Sequence, residues 1–331
     1  CTWIGDSAFD QCWNIGSIDL SNCTYIGTGA FGNSGITGSI DLSNCTYIGD
    51  GAFMCCSGIA GSIDLSSCTL VGMKAFYGCS GITSIDLSNC TSIGHYAFCG
   101  CSGITGSIDL SNCTWIGDSA FCGCSGIDSV TWSSSFTTIP FGCFTSCTSL
   151  KTFNSETEGV CNLSGITSVR ASAFRGCSGI TGSVNLTNCT SIDYDAFKGC
   201  TNAIPVISTK ATEIEDTAFN GVPFVVISAK SEEGLIRYCS NISTGWPFSD
   251  KLAGLAYVKK IAIIDGNSDD VSVSRQPTTL DDNFTTLSID SDDIVKNNRL
   301  SSDATYYLTT SVNYAYGMDN YQTVAAYDVA I

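Results

Sequence analysis

A β-rich repeat solenoid is the fold this sequence predicts, and three features of the chain predict it. An Ala-Phe pair, once Cys-Phe, recurs at Phe9, Phe31, Phe53, Phe76, Phe98, Phe121, Phe144, Phe174, Phe197 and Phe219. The steps are 22 or 23 residues, apart from one of 30 between Phe144 and Phe174. A fixed period of about 20 to 50 residues marks an array of stacked units, none able to bury its apolar face alone. The stretch between beats, IDLSNCTSIGHYAFCGCSGIT at Ile85 to Thr105, also returns with substitutions up to about residue 222. Most cysteines follow the same beat, as interior residues of successive coils would.

Within each unit, SIDLS alternates apolar and polar residues with period two, so it reads as a short strand with Ile and Leu inward and Ser and Asp outward. Next comes NCTxIG, with Cys and Ile inward, ending at Gly27, Gly49, Gly72, Gly94 or Gly117. A glycine there suits a turn with positive φ. DSAFCGC and its equivalents are too short for a full helix and predict one helical turn with Ala and Phe facing the core. Gly-Ile, as at Gly103-Ile104, then leads into the next strand. Some units carry an extra glycine before the strand, as in Ile104-Thr-Gly-Ser-Ile108 against Ile82-Thr-Ser-Ile85, which predicts a bulge at the coil corner.

The chain holds 21 cysteines. One column is Cys23, Cys45, Cys68, Cys90, Cys113 and Cys189. A second is Cys12, Cys56, Cys79, Cys101, Cys124, Cys147, Cys177 and Cys200. Cysteine repeated once per coil reads as a small buried apolar residue. Cys55, Cys99 and Cys122 fall outside both columns, and Cys99 and Cys122, one repeat apart, are candidates to pair across neighbouring coils.

The order I-x-x-I-x-L-x-x-C-x-x-I-G-x-x-A-F-x-G-C resembles the BspA-like subclass of leucine-rich repeats over residues 1–222. That resemblance implies a right-handed solenoid with a parallel sheet, one strand and one AF-containing turn per coil. It also implies a surface or secreted protein of the kind that mucosal bacteria and protists use for adhesion. About ten strands at a spacing of about 4.8 Å would make the sheet about 45 to 50 Å long. The Cys column after the strand and the dense NCT motif depart from the family pattern.

Residues 150–166 interrupt the rhythm with an insertion that includes Glu156 and Glu158, expected as a loop on one face of the solenoid, either a binding loop or a tolerated surface insertion. Residues 223–257, with an acidic first helical turn at Ser231 to Glu233 and with Trp246 and Phe248, are expected to cap the last coil. Residues 258–331 contain no cysteine and alternate as a small antiparallel β domain would. Asp265, Asp269, Asp270, Asp281, Asp282, Asp290, Asp292 and Asp293 lie near its turns. Carboxylate clusters are calcium ligands in kind, so calcium is the one cofactor offered; none of the clusters has full EF-hand spacing, and solvated acidic turns explain them as simply. No metal ligand is assigned.

Fourteen basic residues against 31 acidic ones give a net charge of −17, which excludes a nucleic-acid partner because phosphate binding needs a basic footprint. No apolar run reaches the length of a membrane span. Residues 1–9 repeat residues 113–121, so an upstream part is expected and the lack of a signal peptide carries no weight. Catalytic types are scarce. His95, the single histidine, sits at a variable exposed position with no evident carboxylate or nucleophile partner. GxGxxG at Gly27 to Gly32 belongs to the repeat and precedes no long helix, and Cys-Gly-Cys at 122–124 lacks a second pair for zinc.

Three outward features remain. One is the aspartate column Asp19, Asp41, Asp64, Asp86 and Asp109, readable as a solubilising stripe or as a site for cations or a basic partner. Another is the row Trp3, Tyr25, Tyr47, Leu70 and Trp115, whose aromatic members suit stacking on sugars or protein. The third is the N-x-S/T set at Asn22, Asn44, Asn89, Asn112, Asn162, Asn185, Asn188, Asn241 and Asn283, either glycan acceptors or polar ladder residues. Taken with what the family resemblance implies, these features give the expectation of a non-enzymatic adhesion or recognition protein, at the cell surface or secreted, binding a protein or glycan ligand. The alternative is a self-associating structural subunit of an extracellular fibre, filament or virion appendage.

Overall fold

A computed structural model describes residues 1–208, 210–215, 217–222 and 225–229, with four further strand segments at 261–265, 284–289, 305–309 and 325–330. The chain divides into two compact units, Cys1–Glu158 with Ser172–Gly179, and Gly159–Ala171 with Ile180–Ile331. In each, one coil of about 22 residues stacks on the next through parallel strands. No α-helix occurs among the described residues.

Every coil of the first unit contributes to two strand rows, where the repeat pattern predicts one. The expected strand at IDL is present at Gly61–Asp64, Ile82–Asp86, Thr105–Leu110 and Gly126–Trp132; in the first coils it is reduced to isolated bridges, Gly16 to Ile36 and Gly38 to Ile59. A second row joins Trp3–Ile4, Tyr25–Ile26, Tyr47–Ile48, Leu70–Val71, Ser92–Ile93 and Trp115–Ile116 in one six-stranded sheet. The expected bulge is present. Register shifts between Ile127 and Ser129 opposite Gly106, and beside Gly61, where φ is +77° and +90°.

Between the rows lies the core. Phe31, Phe53, Phe76, Phe98 and Phe121 are fully buried and stack on one another with centroids 5.2–5.5 Å apart and planes within 12°. The offset stacking adds about 0.5–1.5 kcal/mol per pair to the burial of each ring. The preceding alanines and both cysteine columns are buried beside them, except Cys12, which is exposed in the first coil. Cysteine has a further use at these positions. Cys56, Cys79, Cys101 and Cys124 each donate their thiol to the carbonyl of a Phe in the preceding part of the stack, 3.0–3.1 Å away.

The AF turn is not the expected helical turn. Residues two before and two after each Phe take positive φ, for example Tyr96 at +58° and Gly100 at +78° around Phe98. Alternate amides then have different destinations. Ala97, Cys99 and Cys101 donate to Gly94, Tyr96 and Phe98 of their own coil at 3.1–3.2 Å, while Tyr96, Phe98 and Gly100 donate to Asp118, Ala120 and Cys122 of the next at 2.7–2.9 Å. All six N–H groups are thereby satisfied, as buried backbone requires. A helix would have closed those bonds within one coil and left none to join the stack.

The glycines ending NCTxIG also act differently from the expectation. Gly27, Gly49, Gly72, Gly94 and Gly117 do not have positive φ. Their coils approach so closely that a Cβ on Gly49 would lie 2.6 Å from the Thr28 amide nitrogen and 2.7 Å from the Gly27 carbonyl carbon. Glycine is needed there for contact, not for conformation.

The insertion at 150–166 is more than a loop. Thr152–Phe153 pairs with Ser129–Val130 in the first unit, and Cys161–Asn162 pairs with Val184–Asn185 in the second. Glu158, between them, reaches Lys151 at 3.5 Å. In the second unit the parallel row continues through Ser183–Leu186, Ile204–Ser208, Val225–Ala229 and Ile261–Asp265. Apart from Val225–Ala229 the expected cap at 223–257 lies outside the described residues. So does the expected β domain at 258–331, apart from its four strand segments, of which Ile261–Asp265, Thr305–Thr309, Ala325–Ala330 and Phe284–Ile289 are joined in that order by antiparallel pairing.

Candidate functional site

The repeat places the five aspartates, Asp19, Asp41, Asp64, Asp86 and Asp109, on the exposed side of the IDL row, with Asp64 and Asp86 at paired positions on adjacent strands. Each has a local task that alternation does not reveal. Its Oδ1 accepts the backbone N–H two residues on, at Ser21, Ser43, Ser66, Ser88 and Ser111, over 2.9–3.0 Å. This is an Asx turn, and it ends the strand. Asn162 and Asn185 do the same for Ser164 and Thr187 at 3.1 Å, so the turn needs the acceptor oxygen and not the charge. The Ser21 and Ser43 hydroxyls add a 2.6 Å bond each. These side-chain bonds, with the backbone bonds second, hold the Asp19 and Asp41 carboxyls below the ordinary carboxylate range.

Trp3, Tyr25, Tyr47, Leu70, Ser92 and Trp115 form one outward file, each in register with the next. Trp3 and Tyr25 stack at 5.8 Å and 15°, Tyr25 and Tyr47 at 4.7 Å and 4°. The rings pack on one another and still face solvent: Trp3 is 61% exposed and Trp115 44%, with Tyr25 and Tyr47 half-buried. Desolvation, followed by the neighbouring Tyr25, Asp50 and Asp6, pushes the Tyr47 phenol up, so it stays neutral. Aspartate column and aromatic file belong to different sheets, and the structure does not join them into one strand face.

Between the two rows, NCT is a cross-coil ladder. Asn44, Asn89 and Asn112 donate Nδ2 to Ser21, Ser66 and Ser88 carbonyls at 2.6–2.7 Å. Thr46, Thr69, Thr91 and Thr114 donate their hydroxyls to the preceding threonine carbonyl at 3.0–3.2 Å. The nitrogen that a glycan would join is thus already a donor at these asparagines.

His95 has partners that sequence reasoning missed. Its Nδ1 accepts the Asp118 backbone N–H at 2.8 Å, and the Asp118 carboxylate lies 3.8 Å away. At the same repeat position Asp6, Asp50 and Asp118 accept the N–H of Thr28, Met73 and Phe141 at 2.7–3.1 Å. Histidine therefore replaces aspartate in a structural file, and its ring meets Trp115 edge-on at 5.3 Å. Met73, Tyr96 and Phe141 are also exposed nearby in the repeat, at 43%, 36% and 41%, and Lys74 lies over the Tyr96 ring at 5.8 Å. Their signal was the apolar choice at positions where other coils carry Asp or Ser. No group of three His, Cys, Asp or Glu side chains that could hold a metal ion occurs among the described residues. The acidic clusters from 265 onward lie outside the residues whose side chains are described.

The family described as "BspA type Leucine rich repeat region" matches in six copies over residues 1–60, 69–204 and 155–237. Among solved structures, a leucine rich cell surface protein from Faecalibacterium prausnitzii A2-165 is 22% identical with a TM-score of 0.43, over 56% of this chain and 59% of that one. A leucine-rich repeat protein from Bacteroides ovatus ATCC 8483 is 24% identical with a TM-score of 0.47, over 62% of this chain and 60% of that one. The chain thus spans about 60% of the length of each. No curated protein matches.

Proposed function

Since this chain belongs to the BspA-type leucine-rich repeat family, we propose that it is a non-enzymatic adhesion or recognition protein, displayed at the cell surface or secreted. The family provides a protein-binding repeat scaffold; what this member would add is the exposed aromatic file. Trp3, Tyr25 and Tyr47 present the outer edges of a continuous ring stack, and Trp115 stands three coils further along the same file, on a backbone tied at every coil. Such a file suits a protein or a glycan chain, since stacked rings contribute contact area at little entropic cost. The exposed Asp column supplies a negative flank for polar or basic groups on that partner. His95 and buried column thiols such as Cys56, Cys79, Cys101, Cys124 and Cys189 are engaged in structural hydrogen bonds, in keeping with a surface that binds without chemistry. No helix among the described residues is long and apolar enough to cross a membrane.

The aromatic file carries this reading, and replacing Tyr25, Tyr47 and Trp115 together by Ala tests it. Binding to immobilised extracellular-matrix proteins and to a glycan array should fall at least about tenfold, the size of one or two lost hot spots, with circular dichroism unchanged. Undiminished binding by the folded variant would remove the file from the argument. The triple replacement Asp41→Asn, Asp64→Asn and Asp86→Asn measures the part played by charge, because Asn retains the turn acceptor.

A further inference from the structure

Cys99 and Cys122 occupy the position just after the Phe on two successive coils. Other coils of the first unit carry Asp10, Gly32, Met54, Tyr77, Thr145 and Arg175 there, so this is the one place where that file puts two thiols side by side. On either side of Cys99 the coils are locked in register, with Phe98 N–H on the Ala120 carbonyl at 2.8 Å and Gly100 N–H on the Cys122 carbonyl at 2.7 Å. Phe98 and Phe121 beneath them stack at 5.5 Å. In-register neighbours of this kind have Cα atoms about 4.8 Å apart, inside the range of about 4.4–6.8 Å that a disulfide spans. Both thiols are half-exposed and free.

The other cysteines make the contrast. Cys90 and Cys113 are also neighbours across coils, but they are at most 1% exposed, and the Cys113 thiol is turned to the Cys90 carbonyl at 3.2 Å. Column thiols such as Cys79 and Cys101 are sealed and bonded to Phe carbonyls. Cys55 is exposed, but its counterparts on the adjacent coils are Asn33 and Gly78.

From this arrangement we propose that Cys99 and Cys122 form a reversible redox staple between two coils, closed by low-molecular-weight disulfides such as glutathione disulfide. The Cys122 thiolate attacks one glutathione sulfur, making a mixed disulfide and releasing one glutathione thiolate. Cys99 then loses its proton to solvent and attacks the Cys122 sulfur, making the Cys99–Cys122 bond and releasing a second glutathione thiolate. Two protein thiols are oxidised and one glutathione disulfide is reduced. The order follows from the pair's interaction: the neighbouring Cys99 thiol draws Cys122 down, to about 7, against opposing desolvation, while Cys122 and desolvation push Cys99 up. A thiol near ambient pH is the better attacking group.

The test treats the folded full chain with glutathione disulfide at neutral pH. Remaining thiols are then blocked in acid denaturant, and chymotryptic peptides are mapped without reduction. Cleavage after Phe98 and Phe121 puts the two cysteines on different peptides, so a Cys99–Cys122 bond appears as one linked species lighter by two hydrogens, with fragment ions excluding Cys101 and Cys124. Tm should rise by a few degrees on oxidation and fall back with reductant. The Cys99→Ser chain should stop at a glutathione adduct on Cys122, and the Cys122→Ser chain should react much more slowly at Cys99. Independent adducts on both residues, intermolecular dimers, or linkage through any other cysteine overturns the proposal. The wild-type map decides alone if either variant does not fold.

Discussion

Each aspartate of the IDL row holds the amide two residues ahead, and this gives the column a use that exposure alone does not reveal. Replacing Asp64 by Ala should lower the urea midpoint of unfolding, whereas Asp64→Asn should leave it nearly unchanged, because Asn162 and Asn185 already make the same turn. Equal loss in both variants would mean that charge, not the acceptor, matters. Acid should show the same bond. Asp19 and Asp41 ionise more readily in the folded chain than the ordinary Asp value of 3.8. Their contribution is therefore fully present above that value and disappears as pH falls through the lower folded one. Replacing both by Asn should make the decline of Tm below about pH 4 shallower; parallel pH curves would contradict it. Period-two alternation places Asp19 to Asp109 outward and is silent on what the carboxylate does next. The partners of His95 are hidden from the sequence for a related reason: its Nδ1 bonds to an amide one coil later, and spacing marks a position without showing what bonds to it.

At the scale of the element, the phenylalanine beat and the cysteine columns were legible because burial repeats with the coil, and every buried ring from Phe31 to Phe121 keeps the period. The outer turn was not. Its positive-φ positions are filled by Lys74, Tyr96 and Ser119 as well as glycine, so the residue types that ordinarily mark such a conformation are missing. The glycine ending NCTxIG misled in the opposite sense, since tight contact and positive φ select the same residue. Two neighbours separate these causes. Gly51, at φ +61° and with only Met54 Cβ at 3.8 Å, an ordinary contact distance, from where its own Cβ would lie, should cost about 1 kcal/mol on replacement by Ala. Gly49, whose Cβ would meet backbone, should cost about 2–3 kcal/mol or prevent folding. Urea unfolding of the two variants checks the order, and a reversal would return Gly49 to the conformational reading.

Across the whole molecule, stability is that of a stack in which a coil is held by its neighbours. Phe98→Ala, in the middle of the ring file, should cost about 3–5 kcal/mol. Phe9→Ala should cost far less, since Phe9 is 38% exposed with a ring neighbour at Phe31; guanidinium unfolding of both would show a position-independent cost if the stack did not matter. A net charge of −17 also opposes compaction, so Tm should rise between low salt and about 0.5 M sodium chloride as repulsion is screened, and a flat response would show the charges to be too dispersed to matter. The Asx turn has a last consequence at this scale. It reads the oxygen and ignores the charge, so each of these seven coils holds a two-state symbol, Asp or Asn, written on the same backbone turn. From Asp19 to Asp109 the symbol is acidic, and at Asn162 and Asn185 it is neutral. Electrostatic pattern along such a protein can be edited letter by letter while the stack beneath stays the same.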